Sequence, residues 1–425
     1  MVNILVRNIY KLLIVCICFE EMFARMRIPF KYIKFLIVPI LVSFIFVKLR
    51  GNIKIPIKEK SAWIFMIINV FAVVFSIDTF LSIDSDGFEV VKKYIFFPFL
   101  IICFYYSNLC KLDVKKLLVF FSNTMLVYAV LSVFFYFVRI PIWNDFQRFY
   151  WGRITVGYPT IDAVNCVMAA AIFLLQHGKE NKIAFWHRIV KLYILFLFVI
   201  LQTSGTGIGL LCTLVAYSVA APFFKKWIDK ESFPDAKKTL LPLFLMMLVS
   251  ASFIIGILKV YDAKLLDNMT STIQNRISIM TNKNYDDLDI NTMTMRVDKF
   301  EKAKKLYLKD YADLFLGKGF GLVSYDPQKH FSGFRVFLES QWHLSLFTVG
   351  YVGTFFLFLF LFEMLKNSIT AKKLQSHTAF ATICILVSFF TSCTLMSFAL
   401  IGSFSLIYAE DKRKLHGDDQ CPSLE

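Results

Sequence analysis

Long apolar runs recur along almost the whole chain, separated by polar breaks that carry most of the Lys, Arg, Asp and Glu. A helix of about 20 mostly apolar residues crosses a bilayer core. Runs at 8–24, 31–49, 61–81, 91–109, 116–138, 160–177, 188–203, 205–224, 239–258, 342–365, 376–391 and 394–409 predict twelve transmembrane helices. Eleven is the alternative. Glu20 and Glu21 fall in the last turn of the first run, and 376–409 is long for one crossing and short for two. The start MVNILVRNIYKLLIVCICFEEMF has no small-residue cleavage site, which predicts a retained first helix. The expected fold class is therefore all-α: a polytopic integral membrane protein forming a single transmembrane domain over 1–425.

Charge orients these runs. With the N-terminus inside, the cytoplasmic breaks hold 25 of the 47 Lys and Arg, and the short outer loops hold nine. The segment 259–340 holds the other 13 against 11 acids, and loops of that length escape the charge bias. The stretch 25–34, with Arg25, Arg27, Lys31 and Lys34, is the one break in the pattern. Both termini then face the cytoplasm, with 410–425 as a polar tail. Composition agrees: 57% of residues are hydrophobic and only 18% charged. Such a chain cannot cover a water-exposed surface, which excludes a soluble enzyme. The net charge of +16 is topological, so no nucleic-acid partner is expected. Of nine cysteines, eight lie within or at the ends of the apolar runs and Cys421 lies in the tail, and no CxxC pair occurs, so neither a disulfide framework nor a zinc site is expected.

Two outer segments, 139–160 and 259–340, are long enough to suggest function. The first carries Arg148 and Arg153, near Asp145, Trp143, Tyr150 and Trp151. Arginine matches phosphate in a two-pronged geometry, and plain solvated charge is the other reading. The aromatics suit the membrane interface. In the second segment, residues 292–314 predict an amphipathic helix with Met293, Val297, Phe300, Tyr307, Tyr311 and Leu314 on one face. It either lies along the membrane boundary or packs on the rest of the loop. Gly317 is placed to end it. Gly317, Gly319 and Gly321 in LGKGFGLVSYDPQKH either let the chain turn sharply or present backbone N–H groups to an anion.

Glu339 and Ser340 then precede a run containing Gly350 and Gly353. The glycines suit close helix packing. Glu339, at the helix mouth, suits either capping or general-base chemistry. Other polar groups of the apolar runs, including Asp162, Asn165, Gln202 and Glu363, lie near run ends. No acid sits mid-run, where an ion-coupled transporter often places its relay. No HExxH or other metal-ligand cluster occurs, so neither metal nor cofactor is expected.

Four places together resemble the O-antigen polymerase and ligase superfamily, most closely the Wzy-type O-antigen polymerases. Arg153-Ile-Thr-Val-Gly157-Tyr-Pro159 before DAVNCVMAAAIF resembles an arginine-glycine-proline stretch leading into a small-residue helix. Leu201-Gln-Thr-Ser204-Gly205 resembles a Thr-x-Ser-Arg helix start, with Gly205 where that family has arginine. Arg296 followed by GKGFG resembles an arginine leading through a helix into a Gly-x-Gly-x-Gly turn. Glu339-Ser340, nine residues, then Gly350-x-x-Gly353 resembles the signature before the next span. In ligases a His begins that signature; Glu339 is more like the polymerases. The arginine-ten-residues-glycine repeat described for some polymerases is absent from both outer loops.

The resemblance implies a glycosyltransferase at the periplasmic face of the bacterial inner membrane. Its partners would be undecaprenyl-diphosphate-linked oligosaccharide and polysaccharide, the lipid bilayer, and a chain-length regulator as a further candidate. It implies Glu339 as the base or acceptor-orienting group. Arg153 and Arg296, with Arg148 and Arg276 in reserve, would bind the diphosphate. The chemistry expected is inverting and metal-independent. The alternatives are an O-antigen ligase and, from another class, a polysaccharide-lipid flippase or transporter. The roughly 80-residue outer loop and clean mid-span regions favour the enzyme over the latter.

Overall fold

A computed structural model describes residues 2–25, 30–53, 55–74, 76, 87–138, 154, 156, 158–175, 181–220, 236–261, 263–280, 290–323, 338, 340–370, 376–390 and 397–416. These residues form helices and connecting turns, with no sheet among them. The helices are α1 (Val2–Cys18), α2 (Glu20–Arg25), α3 (Phe30–Lys48), α4 (Lys60–Val74), α5 (Gly87–Tyr105), α6 (Val114–Phe137), α7 (Pro159–Leu174) and α8 (Lys182–Leu201). They continue as α9 (Gly205–Ala220), α10 (Ala236–Tyr261), α11 (Ala263–Met280), α12 (Ile290–Tyr307), α13 (Tyr311–Leu316), α14 (Gln341–Thr370), α15 (Ser376–Phe389) and α16 (Phe398–His416). A helix stands at every predicted run, and the run 376–409 divides into two, α15 and α16. Four are long and apolar enough to cross a membrane: α6, α8, Lys238–Val260 of α10 and Gln341–Ile369 of α14. The other described apolar helices are shorter.

Helix α7 is the hub. Every residue from Ile161 to Leu174 is buried, under α6, α8, α9, α15 and α16. Its sequence explains this. Pro159 starts it with a preset φ, Asp162 favours the N-terminal dipole, and three successive alanines (169 to 171) leave room for neighbours. The α9 backbone approaches so closely that a Cβ on Gly207 would lie 2.5 Å from that of Ala163. Two polar pairs lie inside the bundle: Tyr128 Oη donates to Asp162 at 2.6 Å, and Ser403 Oγ to Asn165 at 2.9 Å. At the rim, α10 is the opposite case. Val249 is 74% and Val260 88% exposed, an apolar surface suited to lipid rather than water.

The outlying basic stretch 25–34 has a physical answer at Lys34. Its ammonium is buried against the Glu20 carboxylate and lies 4.7 Å from the Phe398 ring centroid. Glu20 also accepts from the Ala399 N–H at 2.7 Å, so one carboxylate ties α2, α3 and the start of α16. The two residues that look out of place along the sequence neutralise each other. At the other end of α4, Glu59 accepts from Tyr408 Oη at 2.7 Å and from Asn367 Nδ2 at 3.3 Å.

The segment 259–340 is more helical than expected. α11 follows α10 with only residue 262 between them. The predicted helix 292–314 is two helices, α12 and α13, because the chain breaks at 308–310 to bury Leu308. Its buried edge is Phe300, Ala303 and Tyr307, whereas Val297 and Tyr311 point outward. α12 lies on α14 rather than on the rest of the loop, with Phe300 over His343 and Tyr307 edge-on to Phe347. Within α12, Glu301 pairs with Lys304 at 3.7 Å.

Candidate functional site

The GKGFG turn is built against a broken helix. α14 departs from helical geometry at Gly350, with φ 64° and ψ −168°. Breaking the helix there leaves carbonyls of the preceding turn without their intrahelical donors. Lys318 N–H donates to Phe347 O at 2.8 Å and Gly319 N–H to Thr348 O at 2.9 Å. Phe320 N–H donates to Ser76 Oγ at 2.8 Å, at the end of α4. Gly317 caps α13, with φ 81° and its N–H on Asp313 O. Any Cβ at Gly317 would sit 2.5 Å from the Thr348 backbone, and at Gly319 1.8 Å from Ser76 Oγ.

These contacts settle what the glycines do. The N–H groups from Gly317 to Phe320 are all used inside the protein, so these four do not form an anion cradle. The sharp-turn reading describes the geometry. Gly350, expected as a helix-packing residue, instead makes the break that receives the turn: a Cβ there would lie 2.3 Å from Phe315 O. Gly353 does pack: a Cβ there would lie 3.1 Å from the Ile68 side chain of α4.

Above the break, the first turn of α14 carries a second cluster. Ser340 is buried and its Oγ lies 2.8 Å from His343 Nδ1. The imidazole is stacked under Phe300, with centroids 4.8 Å apart and planes within 17°. Arg296 and Glu301, on the same helix as Phe300, act electrostatically on it. So α12 carries Arg296 about one turn before the Phe300–His343 stack at the mouth of α14, where Glu339 precedes Ser340 in sequence. Below it, burial raises the Tyr307 phenol above its usual range, keeping it neutral.

A third group lies where α8 meets α9. Gln202, Thr203 and Ser204 are buried, and Thr203 has φ 48°, uncommon for a β-branched residue. Both polar atoms of the Gln202 amide are buried without a hydrogen-bond partner. Ile154, next in sequence to Arg153, donates its N–H to Leu201 O at 3.0 Å. It packs with Met269 of α11 and Leu258 of α10, so the segments 139–160 and 259–340 share one apolar cluster.

The predicted site residues therefore fall into two sets. Arg296, Gly317, Gly319, Gly321, Gly350 and Gly353 are placed, and all but Gly321 are placed by specific contacts or electrostatics. Glu339, Arg148 and Arg153 lie outside the described residues. Arg276 lies on α11, with its side chain outside them. Sequence reasoning missed His343 and gave no role to Gln202. His343 stands three residues after Ser340, which is a visible signal, but its partner Phe300 is 43 residues away. Among the described residues no three His, Cys, Asp or Glu side chains gather as a metal site would need. No protein-family model matches the sequence, and no curated protein is significantly similar to it.

Proposed function

We propose that this protein is a Wzy-type O-antigen polymerase: a twelve-span glycosyltransferase with both termini in the cytoplasm and its site on the periplasmic side of the bacterial inner membrane. One observation carries the reading. The four stretches on which the resemblance rests are scattered over about 200 residues of sequence, yet they meet in pairs. The stretch after Arg153 joins Leu201 through Ile154. Phe300, four residues after Arg296 on α12, stacks on His343 at the Ser340 helix mouth, and the glycine turn docks at Gly350. Unrelated loops have no reason to pair motif with motif.

The chemistry assigned is transfer of the growing polysaccharide from undecaprenyl diphosphate to the non-reducing end of a new lipid-linked repeat unit. The acceptor hydroxyl attacks the anomeric carbon of the donor. The new C–O bond forms as the bond to diphosphate breaks, and its electron pair leaves with undecaprenyl diphosphate. Arg153 and Arg296, with Arg148 and Arg276 in support, would stabilise the charge that develops there. Glu339 would take the hydroxyl proton, with His343, four residues on in sequence, as a second proton-handling group. In-line attack inverts the anomeric centre.

Deletion of the gene followed by lipopolysaccharide electrophoresis tests this. The expected product is core bearing one repeat unit, restored to a ladder by the wild-type gene and not by Glu339→Gln at equal protein level. Bare core with polymer stranded on the carrier lipid would assign a ligase instead. Bare core with no polymer would assign a flippase.

A further inference from the structure

Helices α4 and α5 follow each other in sequence, but α4 packs on α14 and α5 on α16. The space between them is a cavity of about 360 Å³. Its lining is apolar apart from Asn69, and rich in rings: Phe65, Phe97, Phe99, Phe360 and Phe404 all face it. Two of its α4 residues, Val70 and Val74, are 62% and 53% exposed on the outside of the bundle, so the cavity opens sideways toward lipid. Phe320, from the glycine turn, closes one end. That roof is fixed on both sides, to α4 through Ser76 and to the broken helix through Phe347 and Thr348. The mouth of α14, with His343, lies seven residues before Gly350, about 10 Å along the helix.

We propose that this cavity receives the leading isoprene units of the carrier lipid, so that its diphosphate emerges beside the turn and the α14 mouth. The identity of the chain rests on the polymerase reading. The cavity's shape and chemistry argue independently for a hydrocarbon chain entering from the bilayer. A branched polyene suits a wide, ring-lined space. The glycine turn then has two tasks: it roofs the chain and sets the depth at which the headgroup stops.

The test is carrier-length selectivity. Purified protein in nanodiscs is given repeat units on undecaprenyl diphosphate or on a single-isoprene diphosphate. The wild type is expected to use the long carrier about tenfold better, equivalent to about 1.4 kcal/mol. Leu357→Trp, which fills the cavity from α14, is expected to use the long carrier no better than the short one. Retention of the preference overturns the proposal. Should Leu357→Trp lose both activities, Val70→Trp at the rim decides by the same two results. If the wild type polymerises neither carrier, the polymerase reading fails. Photo-crosslinking with a photoreactive undecaprenyl phosphate then judges the cavity alone. Labelling of Phe320 or Val70 upholds it, and labelling only by a phospholipid acyl probe overturns it.

Discussion

Substituting Gly350 by Ala puts the docked turn to a quantitative test. At φ 64° and ψ −168° the backbone occupies a region open essentially to glycine alone. Holding another residue there costs about 1–3 kcal/mol. The new Cβ would stand 2.3 Å from Phe315 O and 2.6 Å from Gly317 N. Both are backbone atoms, so no side chain can swing aside, and the turn must lift. Lifting breaks the Lys318–Phe347 and Gly319–Thr348 hydrogen bonds, each contributing about 0.5–1.5 kcal/mol net. The total loss is about 2–6 kcal/mol. Gly209→Ala is the matched control. Its Cβ would meet nothing within 4 Å, and a helical Gly→Ala change is worth about 0.5–1 kcal/mol of added stability. A thiol-reactive dye reads both in detergent, because Cys16, Cys18, Cys103, Cys110, Cys166 and Cys384 are buried and report on unfolding. Exposed Cys212 sets the baseline. Gly350→Ala is expected to melt well below wild type and Gly209→Ala at or above it. Equal melting of the two variants would refute the broken-helix geometry.

Two further predictions use buried polar groups. Lys34→Met leaves Glu20 charged and buried, and should cost about 3–5 kcal/mol in the same melt; adding Glu20→Gln should recover most of it, and failure to recover would place Lys34 in some other role. Gln202→Met replaces an amide with no partner by an apolar group of similar size, and should raise stability by about 1–3 kcal/mol while lowering polymer yield; an unchanged or lower melting point would show that the amide is satisfied within the protein.

The positions of the helices were legible because apolar length is written directly in sequence, and each predicted run coincides with a helix. The hub role of α7 was only half legible: its small residues were visible, but not that they would be enclosed on every side. The glycines show the boundary most clearly. Gly317 reads as a helix end because it follows a periodic apolar face. Gly350 sits inside an apolar run and reads as packing, since nothing local reveals a positive φ whose cause is a turn some 30 residues earlier. Lys34 looked like a violation of the charge rule for the same reason. Its partner Glu20 comes from another helix, and only the fold brings them together. The Ser340–His343 contact is local, whereas the Phe300 and Arg296 that complete it arrive on α12.

The most direct measurement is reconstitution. Purified protein in proteoliposomes, given only undecaprenyl-diphosphate-linked repeat units, should convert them to a ladder of lipid-linked polymer. Each new glycosidic bond should release one undecaprenyl diphosphate. Lipid-linked units that cross the bilayer, or stay as single units, with no new glycosidic bond formed would contradict the account.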